Sequence, residues 1–174
     1  MGYQVRPGTE EDLPFIKELA LWACEFSVSK IRNTPIHKVR ACMEQVISMI
    51  PQIALSMPLH FYILEEVETK IKVGYMILLV NQLEASTGEK QTMIQDYALA
   101  PQYHGKHLWR LFLLKAEEVA LENENFYLSA FITAENKTSL VVAEKFGGQV
   151  ERYQVTKKLS PRPQQNFNNI LTQC

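Results

Sequence analysis

One stretch constrains this chain more than any other: a strand that meets a proline, crosses a short loop and runs straight into a helix. Residues 94–120, IQDYALAPQYHGKHLWRLFLLKAEEVA, have this form. The strand reading of Ile94 to Leu99 stops at Ala100-Pro101, because proline brings no N–H to a ladder. The loop holds one glycine, Gly105. From Leu108 to Leu121, Leu111, Leu114, Ala116 and Val119 then recur at helical spacing. The first N–H groups of a helix have no partner inside it and point outward at the positive end of its dipole. A loop that feeds such a terminus can take an anion, including a phosphate or diphosphate. Gln102, His104, Lys106 and His107 add side-chain donors around that mouth. Taken alone, a strand-loop-helix with one glycine is most often an ordinary connection.

The flanking segments alternate in type. Tyr3 to Arg6 is a short strand ended by Pro7-Gly8, and Thr9 is a good cap for a helix that starts Glu10-Glu11-Asp12. Its apolar stripe is Leu13, Ile16, Leu19, Ala20 and Ala23. A second helix begins near Thr34-Pro35, with Val39, Cys42, Met43, Val46, Met49 and Ile50 as its apolar face. Phe61–Val67, Ile71–Val80 and Thr92–Leu99 read as three strands of an antiparallel meander. After the helix at 108–121, Phe126–Ile132 has the continuous apolar and β-branched character of a buried strand. Asn136–Phe146 is a helix closed by Gly147-Gly148, and Gln149–Leu159 is a last strand. The order is β-α-α-β-β-β-α-β-α-β. Residues 160–174, rich in Asn and Gln with Pro161 and Pro163, read as a flexible tail.

Composition removes several classes of function. A net charge of −1 offers no electrostatic footprint for nucleic acid. The longest apolar run, GYMILLV at 74–80, is too short to cross a bilayer, and the N-terminus lacks the apolar run of a signal peptide. Gly2 is not followed by Ser or Thr at position 6, which is Arg6, so the myristoylation pattern is incomplete. Cys24, Cys42 and Cys174 are far apart and odd in number, which speaks against a disulfide framework or a zinc site and suits the cytoplasm. No Ser-His-Asp arrangement is legible.

Residues 94–112 resemble the acetyl-CoA-binding signature of the GCN5-related N-acetyltransferase (GNAT) family, whose core pattern is Gln/Arg-x-x-Gly-x-Gly/Ala; Gln102, Gly105 and His107 take those places. Asn136-Lys137-Thr138-Ser139, followed by a helix and Lys145-Phe146-Gly147, is similar to the later helix of that family, and Val5-Arg6-Pro7 with Thr9 to Leu13 looks like its opening. The resemblance implies an α/β (α+β) fold, a GNAT-like mixed central sheet of about six to seven strands flanked by about four helices, in one acyl-CoA N-acyltransferase domain over 1–159. It implies acetyl-CoA as co-substrate with no metal. The pantetheine arm would bond backbone near Leu99 and Ala100. The diphosphate would lie on the amides of Gln102, Tyr103, His104, Gly105, Lys106, His107 and Leu108, and Asn136 and Ser139 would line the far wall. The implied reaction is acetyl transfer to a primary amine of a small molecule or protein. A homodimer is compatible with the family, and no nucleic-acid or membrane partner is implied. A non-catalytic CoA-sensing or partner-binding module is the alternative.

The sequence departs from the family pattern in three respects. His107 stands where Gly or Ala is usual, and Trp109 follows where Gly is common. The imidazole either turns away and frees its N–H, bonds phosphate, or blocks the pocket. Ala143 replaces a tyrosine that many members use to protonate the leaving thiolate. Gln95-Asp96 replaces a Glu-containing pair. Asp96 is the carboxylate left to serve as base, or it caps a neighbouring backbone group.

Overall fold

The computed structural model describes residues 2–159. Ten main elements occur: β1 (Tyr3–Pro7), α1 (Leu13–Ala23), α2 (Ile36–Ser48), α3 (Ile50–Ser56), β2 (Leu59–Glu66), β3 (Lys72–Leu83), β4 (Lys90–Leu99), α4 (Trp109–Glu122), β5 (Leu128–Ala130) and α5 (Lys137–Lys145). The strands form one mixed sheet in the order β1-β2-β3-β4-β5. The first four are antiparallel neighbours: short turns join β2 to β3 and β3 to β4 as hairpins, whereas α1 to α3 lie between β1 and β2; β5 is parallel to β4 because α4 carries the chain back across the sheet.

The GYMILLV run is explained by its place. Val73 to Val80 of β3 are buried throughout, because α1 packs on one face of the sheet and α4 on the other. On the α4 side the core is centred on Phe112, Ala116 and Val119, all 2% exposed or less. Leu114, which the spacing placed in the stripe, is exposed instead.

The opening of the chain is fastened by charge. Arg6 grips Asp12 through two bonds of 2.7 and 2.9 Å and donates to Glu65 at 2.8 Å, while Lys72 reaches Asp12 at 2.6 Å. The Asp12 carboxylate also accepts from the Thr9 backbone N–H at 2.9 Å, so it closes the capping box ahead of α1. The Arg6 guanidinium, aided by Lys72 against the cost of burial, holds the Asp12 carboxyl far below the usual carboxylate range. One buried carboxylate thus ties β1, the start of α1 and β3 together.

Several expectations are corrected. Among the described residues the sheet has five strands, not about six to seven, and there are five α-helices rather than about four. The strand expected over Phe126–Ile132 shrinks to Leu128–Ala130, with Phe126 79% and Phe131 91% exposed. Residues 149–159 form no strand. The physical reason is the short edge: β5 pairs with β4 only from Leu128 to Ala130, too little ladder to recruit a neighbour, and Arg152 is drawn into an ion pair with Glu84 of the β3–β4 loop. The second helix breaks at Met49, and α3 restarts with Pro51 in its first turn. Only Val39, Met43 and Ile47 of α2 turn inward, so Cys42, Val46 and Met49 are exposed rather than core. The expected tail, 160–174, lies outside the described residues.

Candidate active site

The site begins with an irregularity in β4. Ile77 of β3 faces Asp96, but the next residue, Leu78, faces Ile94, so Gln95 has no counterpart and forms a bulge. The pairing of β4 with β5 ends at Ile94 and Ala130, beside that bulge. From Asp96 to Leu99, β4 therefore has a partner on the β3 side only, and a gap opens on its other flank. Ala100 donates its N–H to Val73 O at 2.8 Å. Peptide groups alternate along an antiparallel strand, so those of Leu99 and Tyr97 are directed toward the gap.

Side chains alternate as well. The Tyr97 ring meets Phe112 of α4 edge-on at 6.5 Å, and its hydroxyl faces Ser139 of α5; burial raises its pKa against the pull of Ser139. Asp96 points to the opposite, α1 face. There it accepts a 2.6 Å bond from the hydroxyl of Tyr75, which is wholly buried. Burial pushes the Asp96 carboxyl up from the ordinary range, and the Tyr75 hydroxyl and the Tyr97 N–H restrain the rise. Tyr75, raised well above an ordinary phenol first by burial and then by Asp96, remains the donor of the pair.

The loop after β4 supplies the second part. Pro101–Tyr103 is one tight turn, in which Tyr103 N–H bonds Ala100 O at 2.9 Å and His104 N–H bonds Pro101 O at 3.1 Å. Those two amides are occupied. Gly105 (φ 78°) and His107 (φ 58°) then both enter the left-handed region. Nothing lies within 4 Å of a Cβ built on Gly105, so glycine is favoured there by conformation and not by space. His107 takes the same backbone state with a full side chain, at a cost of about 1 kcal/mol. Left-handed residues beside right-handed ones turn successive N–H groups onto one concave side. The N–H groups of Gly105, Lys106, His107 and Leu108 reach no acceptor among the described residues, and they stand at the N-terminus of the 14-residue helix α4.

The remaining candidate residues fall on different sides. Tyr103 is an anchor: its buried hydroxyl donates to Glu66 at 3.1 Å, its ring stands edge-on to Tyr3, and Lys106 lies over it at 4.7 Å. The His104 ring N–H donates to Leu99 O at 2.8 Å and the ring meets Trp22 of α1 at a tilt of 57°, 5.8 Å between centroids, so it is held on the α1 side. Gln102, Lys106 and His107 are exposed at the loop, and Leu108 is buried. Trp109 is turned toward α5, edge-on to Phe146 at 6.5 Å. Asn136 caps α5, accepting from Ser139 N–H at 3.1 Å. Past β5, Thr133 donates to Ser27 O at 2.7 Å, and Glu135 accepts from Ser29 and from the Lys30 N–H at 3.3 Å each, which ties that segment to the connector between α1 and α2.

Sequence reading missed Tyr75 and Trp22. Tyr75 is concealed within the apolar run of β3, and Trp22 looks like one more apolar helix residue; neither carries a local signal. A cavity of about 680 Å³ lies under β5 between the C-terminal half of α4 and α5, and no residue of 101–108 lines it. Among the described residues no group of three His, Cys, Asp or Glu side chains is placed to hold a metal ion, and no helix is long and apolar enough to cross a membrane.

No family model matches the sequence, and no curated protein matches it. Solved structures do. The Bacillus subtilis protein YycN, a proposed acetyltransferase, is similar at a TM-score of 0.71 with 20% identity, over 92% of this chain and 100% of that one. An acetyltransferase of Trypanosoma brucei gives 0.64 with 19% identity, over 91% and 100%. The aminoglycoside N-acetyltransferase AAC(6')-Iy, in a complex with CoA, gives 0.63 with 11% identity, over 90% and 95%. With the mixed sheet, the interrupted β4–β5 pairing and the loop before α4, these likenesses show that the chain has the fold of the GNAT-type acetyltransferases.

Proposed function

We propose that this protein is an acetyl-CoA-dependent N-acetyltransferase acting on a primary amine, with residues 1–159 as its one catalytic unit. One conjunction carries the reading. The strand pairing of β4 ends beside the Gln95 bulge, and a few residues later Gly105 to Leu108 present four N–H groups with no acceptor among the described residues. The first feature suits an extended thioester arm, and the second suits a diphosphate. Lys106 and His107 add exposed donors, and Asn136 and Ser139 stand on the α5 side opposite Tyr97.

In this reading the amine approaches from the α1 face and Asp96 takes its proton. The nitrogen bonds to the acetyl carbon as the carbon–sulfur bond breaks, and a peptide N–H of β4 facing the gap stabilises the carbonyl oxygen. The electron pair leaves on sulfur. Ala143 offers no proton there, whereas the Tyr97 hydroxyl, kept protonated by burial, is the donor we assign to it. A non-catalytic CoA-binding module is the second reading, favoured by Ala143 and by His107 at a glycine-like backbone position.

Thermal melting with acetyl-CoA tests the first step. Ligand at about 100 times Kd adds about 2.7 kcal/mol, a rise of roughly 5–10 °C for a chain of this size. No rise at millimolar acetyl-CoA removes both readings. Stabilisation without release of free thiol across a broad amine panel selects the second.

A further inference from the structure

A closed circuit of contacts frames the α1-side mouth of the β4–β5 gap. Leu99 O, at the end of β4, accepts from His104. His104 packs against Trp22 with the ring planes 57° apart, and Trp22 packs against Phe26 at 5.5 Å with the rings tilted by 59°. The next residue, Ser27, accepts through its carbonyl from Thr133, which follows β5. Two of the rings are open to a ligand from outside: Phe26 is 54% exposed and His104 is exposed at the loop. The circuit starts on β4 and returns to the far side of the gap, so whatever reaches Asp96 from this face passes an aromatic rim.

Charge at the rim is one-sided. Glu25 lies 3.9 Å from Arg40, Glu44 pairs with Lys17, and Glu135 is occupied by Ser29 and the Lys30 N–H. Lys30, Arg32 and Lys38 are exposed on the connector and the start of α2, and none makes a salt bridge among the described residues. A polycation meets three unpaired like charges there against one exposed carboxylate outside those pairs, Glu18, one turn before Trp22 on α1. An aromatic body bearing one amine meets stacking partners, and rings that stack edge-on or tilted gain more than their buried area alone.

We infer that the acceptor is an amine carried on a single aromatic body with no further positive charge. This rests on the transferase reading above and is tested separately from it. Free-thiol release is measured on the full chain with acetyl-CoA and 2-phenylethylamine, tryptamine, spermidine or kanamycin, alongside melting with acetyl-CoA alone. The expected result is a kcat/KM at least about tenfold higher for the two aryl amines. Phe26→Ala then raises the KM of the aryl amines about tenfold, while the KM of acetyl-CoA stays within about twofold. A preference for spermidine or kanamycin, or equal rates for all four, overturns the substrate class and leaves the transferase reading standing. Stabilisation by acetyl-CoA with no release from any of the four also overturns it. No stabilisation by acetyl-CoA removes the transferase reading itself.

Discussion

Gly74 lies in β3 directly opposite Leu99, where β4 is held from one side only. A Cβ at this position would sit 2.5 Å from Ala98 O, 2.8 Å from Leu99 Cδ2 and 3.2 Å from Phe112 Cε2. The first of these is a backbone atom and cannot rotate away, so Gly74→Ala has to push β4 off β3 or drive Phe112 outward. Forcing a methyl into a filled core costs about 1–3 kcal/mol, and the backbone clash puts this substitution at the upper end. Roughly 3 kcal/mol lowers Tm by about 6–12 °C in a chain of this length. The strand that moves also carries the Tyr97 and Leu99 peptide groups, so the affinity for acetyl-CoA falls with Tm, by about tenfold or more. Calorimetric melting gives the first quantity, and titration of the variant below its Tm gives the second. A variant that melts within about 1 °C of the parent, with unchanged affinity, refutes the argument that β4 is fixed by contact with Gly74.

Asp96→Asn lowers kcat by about 10²–10⁴ and leaves stabilisation by acetyl-CoA intact, as pre-steady-state thiol release alongside melting will show. The Asp96 carboxyl is raised by burial, so the acid limb of kcat/KM in the parent lies above the ordinary carboxylate range and is absent from the variant. By the same sign, Asp96 favours folding while protonated and loses that contribution as pH rises through its folded pKa, so the variant melts higher than the parent at pH 7. Asp12 has the opposite sign: its carboxyl is depressed, chiefly by Arg6, so its contribution is present above about pH 4 and fades as pH falls toward the folded value. Asp12→Asn therefore costs about 3 kcal/mol in urea unfolding at pH 7 and progressively less in acid. Asn136→Ala removes the cap of α5 and costs about 1 kcal/mol, or 2–4 °C in Tm.

The meander and both long helices of the site were legible because their apolar residues keep one period over eight or more positions, which local sequence records. The loop was legible as a possible anion site from Pro101, Gly105 and the helix behind them. Its finer division was not: Tyr103 and His104 spend their amides inside a tight turn, and only coordinates reveal which N–H groups are left over. Phe126–Ile132 misled because an aromatic, β-branched run reads as buried wherever it falls, whereas burial depends on a neighbouring strand, and β5 has one on a single side. Gln149–Leu159 failed for the same reason. Asp96 was found as a residue but not as a pair, since its partner Tyr75 is 21 positions away and is brought to it by strand register alone.

Gln95 shifts the register of β4 by one residue. Just before it, Met93 stands beside Leu79 and Ile94 beside Leu78, odd with odd and even with even; after it, Asp96 stands beside Ile77 and Tyr97 beside Met76. Deleting that one uncharged, exposed residue would join Ile94 to Asp96 in an unbroken ladder, with Leu78 and Ile77 still opposite them, so the carboxylate and the phenol would keep their faces and only the bend would go. The extra residue therefore sets the bend of β4 beside the point where its pairing with β5 stops, and it does so without choosing which face Asp96 or Tyr97 takes.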